Sequence, residues 1–114
     1  MALTVSDVAR RIDARVLCGD ADKVFDGVYV GDFLSRAMSR VEFDNIWVTI
    51  MSNVNVIAVA TLTEPAAIIL AEGVVLGDDA LKNAVEQGVC VLSSPLSAYE
   101  ICVSINKAIE EHGI

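Results

Sequence analysis

Nineteen consecutive residues, Asn45 to Thr63, carry no charge: NIWVTIMSNVNVIAVATLT. A stretch of this length and character belongs either in a bilayer or in the interior of a folded domain. Ser52, Asn53 and Asn55 stand near its centre, where amides are costly in hydrocarbon. Its flanks are Asp44 and Glu64, with none of the basic residues that anchor a span at the membrane surface. It is therefore read as a buried strand, NIWVTIM, then a break and helix cap at Ser52-Asn53, then a buried helix, VNVIAVATL, ended by Pro65.

That helix is apolar almost all round, whereas a helix covering one face of a monomer shows water a polar stripe. Two covering surfaces are implied, and in so small a chain the second is expected to be another subunit. A homodimer is therefore expected, with the helix around Val54 to Leu62 at or near the interface. A neighbouring helix of the same chain is the alternative cover.

The rest of the chain repeats the alternation. TVSD at 4–7 has the pattern of a capping box, and Val5, Val8, Ala9 and Ile12 come next at helical spacing, giving a helix over about 5–13. RVLCG and KVFDGVYV read as strands. After Gly31, Asp32 is placed to cap a short helix whose apolar face is Phe33, Leu34, Ala37 and Met38. AAIIL is a fourth strand and VCVLSS a fifth. Between them GDDALKNAVEQG is amphipathic, with Gly88 at its stop. SAYE at 97–100 is a second capping box. Ala98, Ile101, Cys102, Ile105, Ala108 and Ile109 then mark the buried face of the last helix. Short apolar strands alternating with helices imply an α/β fold, a three-layer α/β/α domain around a mostly parallel sheet of about five strands, with residues 1–114 as one domain.

Charge narrows the partners. The net charge is −8, and all of it falls on residues 41–114, which hold two basic and ten acidic side chains. Such a surface repels phosphate backbones and anionic lipid, so no nucleic acid and no membrane is expected as partner. The start, MALTVSDVARR, puts charges where a signal peptide needs an apolar run. Cys18, Cys90 and Cys102 are odd in number and lack metal-ligand spacing, so they are read as free thiols of a cytoplasmic protein.

Ligands of parallel sheets bind outside the carboxyl ends of the strands. Those ends are Gly31-Asp32, Met51-Ser52-Asn53, Ala71-Glu72-Gly73 and Ser93-Ser94, all small or polar at the tip, and Ser35 and Asn55 lie in the first turns of the succeeding helices. Free N–H groups at helix starts suit an anion; helix capping is the competing role of Asp32, Asn53 and Ser97. No catalytic residue is assigned. There is no P-loop and no GxGxxG. The one histidine, His112, stands at the chain end, away from any nucleophile motif. No metal cluster and no cofactor is expected, and an enzyme is disfavoured.

Four segments, GVYVGDFLSRAMSR, WVTIMSNVNVIAVATL, AAIILAEGV and GVCVLSSPLSAYEI, taken in this order, resemble the DRTGG domain. The family resembles the N-terminal domain of HPr kinase/phosphorylase, and its members occur fused to CBS, phosphotransacetylase-like or dethiobiotin-synthetase-like domains. The resemblance implies a dimeric domain with a regulatory or ligand-sensing role. The motif falls on Gly27, Gly31, Asp32, Leu34, Ser35, Trp47, Thr49, Asn55 and Ala58 to Ala60. Gly31, Asp32, Ser35, Thr49 and Asn55 are the part of it that joins the strand-end rim. The literal DRTGG string is absent; DKVFDG stands nearest, with Lys23 for the arginine. The chain carries no P-loop kinase domain, so kinase activity is not implied. The expectation is a stand-alone regulatory or sensor domain that binds a small anionic or nucleotide-like ligand through Gly31, Asp32, Ser35, Thr49, Ser52, Asn53, Asn55, Glu72 and Ser93. A protein–protein adaptor without a small-molecule ligand is the alternative.

Overall fold

Strand order decides how this chain is layered. The computed structural model describes residues 2–112. Its elements are α1 (Val5–Arg11), β1 (Arg15–Cys18), β2 (Val28–Val30), α2 (Leu34–Arg40), β3 (Ile46–Thr49), α3 (Val54–Thr63), β4 (Ala67–Leu70), α4 (Asp78–Gln87), β5 (Val91–Ser93) and α5 (Ala98–Glu111). One sheet runs in the order β1-β5-β4-β3-β2. β2 to β5 are parallel neighbours in chain order, and β1 closes the far side antiparallel to β5. Parallel crossovers are right-handed, so three successive crossovers that step in one direction put their helices on one face.

The packing obeys that rule. Trp47, Ile68, Leu70 and Val91 form one core with residues of α2, α3 and α4. Ile46, Val48, Ala67, Ile69 and Leu92 form the other with α1 and α5. Alternate residues of each strand thus feed opposite cores, which is why β3, β4 and β5 are buried along their whole length and read as unbroken apolar runs. Trp47, fully buried, satisfies its indole by donating to the Gly31 carbonyl at 3.0 Å.

Local signals set the helix starts. Thr4 and Ser97 form reciprocal capping boxes with Asp7 and Glu100. Asn53 Oδ1 accepts from the N–H groups of Asn55 and Val56. Gly88, at φ 69°, ends α4. Arg11 pairs with Glu111, tying α1 to α5. Two expectations change. The run from Lys23 to Val30 is not one strand: Gly27 turns the chain at φ 81°, so only Val28–Val30 joins the sheet and Val24 makes an isolated bridge to Thr4. Asp32 does not cap α2; Phe33 is the N-cap residue and no side chain bonds there.

α3 is flanked by α2 and α4 of its own chain, and Val56, Ile57, Val59 and Ala60 are buried. Its outer side still shows Val54, Ala58 and Leu62, with Leu62 71% exposed. No helix is long and apolar enough to cross a membrane among the described residues.

The capping boxes give the first prediction. The Ser97 N–H holds Glu100 below the ordinary glutamate range, as the Thr4 N–H does Asp7. A carboxyl whose pKa is lowered by folding stabilises the native state at neutral pH and loses that effect as pH falls through its folded value. The stability gap between the native chain and Glu100→Gln is therefore expected to be widest at neutral pH and to close below about pH 4.5. Urea unfolding at pH 7 and pH 3 measures it.

Candidate functional site

The carboxyl ends of β2 to β5 lie on one edge of the sheet because those strands are parallel. The polar residues there fall into separate groups.

Asp32 and Thr49 meet at the ends of β2 and β3. The Thr49 hydroxyl, almost fully buried, donates to Asp32 Oδ1 at 2.7 Å and accepts from the Met51 N–H at 3.2 Å. The Ile50 N–H reaches the same Asp32 oxygen at 2.9 Å. One carboxylate oxygen therefore latches the β2–α2 turn to the end of β3. Gly31 beside it has a packing reason: a Cβ there would stand 3.0 Å from the Tyr29 hydroxyl.

Ser52 and Asn53 border a shallow, open hollow of about 320 Å³ where the starts of α3 and α4 converge, with Gly77, Asp78 and Asp79 on its other side. No lysine or arginine lines it. Ser35 and Asn55 lie apart, on an outward groove between α2 and α3 of about 330 Å³, walled by Leu34, Met38, Ala58, Val59 and Leu62.

Glu72 and Ser93 stand at β4 and β5, which send the chain to opposite faces, α4 on one and α5 on the other. Such a divergence opens a ligand crevice in many parallel sheets. Here it is stitched. The Glu72 N–H donates to the Leu96 carbonyl and the Gly73 N–H to the Ser94 carbonyl, both at 2.8 Å. The Ser93 hydroxyl donates to the Val74 carbonyl at 2.7 Å, and the buried Ser94 hydroxyl to that of Ile12 at 2.6 Å. The rim residues thus divide among a latch, a hollow, a groove and a seam; among those described, the one side-chain to side-chain hydrogen bond is that of Thr49 to Asp32.

Burial raises the thiol pKa values of Cys18 and Cys102 and pushes Cys90 up to about 11, so none is a ready thiolate. No group of three or more metal-binding side chains comes together among the described residues. Two hollows that sequence reasoning missed lie at the opposite edge of the sheet. One is bounded by Lys23, Phe43, Asp44 and Glu64, the other by Leu3, Val24, Phe25 and Ile109. Their walls come from loops and helix ends far apart in the chain, so no local motif announces them.

A family model described as the DRTGG domain matches residues 7–108. No curated protein matches the chain. Among solved structures, the fold is similar to that of the CBS and DRTGG domains of the regulatory region of Clostridium perfringens pyrophosphatase, complexed with its activator, diadenosine tetraphosphate. The TM-score is 0.76 at 13% identity, over 90% of this chain and 45% of that one, so this chain spans less than half the length of its neighbour.

If the Asp32 latch holds the rim, Asp32→Ala loses two hydrogen bonds and should lower stability by about 1–2 kcal/mol. Asp32→Asn keeps an acceptor oxygen and should cost less. Thermal unfolding of the two variants ranks them; equal midpoints would show that the carboxylate does not carry the latch.

Proposed function

The chain belongs to the DRTGG domain family, and from that premise we propose that it is a regulatory domain rather than an enzyme, binding a nucleotide-like small molecule at the carboxyl-end rim of its sheet and working as a homodimer. The observation that carries the ligand site is the hollow at Ser52 and Asn53, where two helix starts face one space. The solved neighbour, a regulatory region in complex with diadenosine tetraphosphate, supports the ligand class. Gly31, Asp32, Thr49 and Glu72 frame the same edge; Ser35, Asn55 and Ser93 belong to its surroundings. Free thiols fit a reducing, cytoplasmic setting.

Electrostatics orient the ligand. Asn53 already fills the two N–H groups it faces, and Asp78 and Asp79 occupy the first turn of α4. Their carboxylates suit ribose hydroxyls and the amino edge of a base, and they oppose a bare phosphate. The nucleoside end enters the hollow, and the phosphates point to solvent or carry a divalent cation.

Thermal-shift titration with adenosine, ATP and diadenosine tetraphosphate, with and without magnesium, tests this. A binder at a hundredfold excess over Kd should stabilise the fold by about 2.7 kcal/mol. Replacing both Asp78 and Asp79 by Asn should weaken adenosine several-fold and narrow its advantage over the phosphate-bearing ligands. Absence of a shift with every ligand would refute the site.

The dimer rests on the face of α2 and α3. α3 bears no charge over its ten residues, Leu62 and Met38 are 71% and 51% exposed, and the groove between the helices is almost wholly apolar. A lasting interface covers roughly 800 Å² on each partner, so this groove must be its centre and not its whole. Leu62→Asp is expected to convert a dimer to monomer in sedimentation equilibrium without loss of fold, since the side chain is exposed. A native chain that sediments as a monomer at micromolar concentration would remove the dimer from the proposal.

A further inference from the structure

We propose that the open edge of β2 is a docking strand for an extended segment of another protein, with alternating apolar residues bracketed by lysine or arginine. β2 is the last strand of the sheet. The Ile46 N–H bonds to the Gly27 carbonyl and the Gly31 N–H to the Val48 carbonyl, each at 3.1 Å. In a parallel ladder this turns the backbone of residues 27, 29 and 31 toward β3 and that of Val28 and Val30 off the sheet. Two N–H donors and two carbonyl acceptors thus face outward, with no partner among the described residues.

The flanking surface is apolar. Val28 and Val30 share a face with Ile46 and Val48, which are buried under α1 and α5. The two helices on that face do not cover the valines, which remain 38% and 51% exposed.

The sheet's two edges differ. Natural edges are blunted by charged residues, prolines or bulges. β1 has an exposed Arg15 and a register shift between Val16 and Cys18. The segment Gly27 to Gly31, GVYVG, has no charge, no proline and no bulge.

Charge selects the occupant. Exposed Asp26 and Asp32 bracket the strand, Asp32 with Oδ1 held by Thr49 and Ile50 and Oδ2 outside that latch. Glu42 and Asp44 are drawn to Asp26 through Asn45, whose amide donates to the Asp26 carbonyl at 2.6 Å and accepts from the Glu42 N–H at 2.8 Å. None of these four carboxylates is in an ion pair among the described residues. A second copy pairing by two-fold symmetry in the register that matches the two outward residues, Val28 against Val30, would set Asp26 against Asp32, twice, in a chain of net charge −8. That repulsion disfavours self-pairing. A basic-bracketed strand makes the same main-chain bonds and neutralises both ends.

Fluorescence anisotropy on the full chain, with labelled octapeptides KVTVTVTK and EVTVTVTE as probes, tests the edge. The lysine peptide should bind saturably, at least tenfold more tightly than the glutamate peptide, and more weakly as salt rises. Val30→Pro removes an N–H that the sheet does not use, so it should fold normally in a thermal melt and lose the peptide. Asp26→Lys leaves the ladder untouched and should narrow the preference between the peptides, which keeps the test decisive if the proline variant fails to fold. Equal binding of the two peptides, or binding retained by a folded Val30→Pro, would overturn the proposal. So would a native dimer that Val30→Pro dissociates, because the edge would then belong to a second copy.

Discussion

Right-handed crossovers acting on four parallel strands laid side by side in chain order dictate most of this molecule. They send α2, α3 and α4 to one face and leave the other to α1 and α5. Three helices crowd the first face, so α3 lies between two neighbours and needs few polar residues. Two helices are too few for the second face of a five-stranded sheet, so the end strand is bare there. The covered apolar flanks of α3 and the exposed valines of β2 thus have one origin.

Handedness also governs the rim. Because β2, β3 and β4 all hand the chain to the same face, their ends open no crevice. Among the described residues the one divergence is between β4 and β5, and main-chain hydrogen bonds between the loops leaving those strands close it. What remains open is the hollow between the starts of α3 and α4, edged by carboxylates. On the reading proposed above, such a hollow favours neutral, hydroxyl-rich groups over phosphate. That is in keeping with a regulatory role, in which binding shifts a population and no bond is broken.

Most elements were legible where their signals are local. The caps at Thr4, Asn53 and Ser97 and the stop at Gly88 involve residues within four positions of one another. The apolar runs of β3, β4 and β5 announce strands buried on both faces. The long-range facts were not legible. Nothing in RVLCG says that it pairs antiparallel with a strand more than seventy residues away. Asp32 looks like a cap until Thr49 and Ile50 are beside it. KVFDGVYV has the composition of one strand, and only the positive φ of Gly27 divides it. The rim's polar tips were visible as residues, but their separation into latch, hollow, groove and seam depends on backbone bonds that no side-chain pattern encodes.

The placement of β1 bears on how the chain is made. Arg15 pairs with Ser93 and Val16 with Leu92, and the Ser94 hydroxyl reaches the Ile12 carbonyl. β1 leaves the ribosome well before β5, the strand it pairs with more than seventy residues later. The parallel strands β2 to β5 can assemble one after another as they emerge, each joining a neighbour already present. β1 must wait through that assembly with its backbone unpaired, because closing so long a loop brings no return until β5 exists. β1, made ahead of the four parallel strands, is thus the last strand to join the sheet.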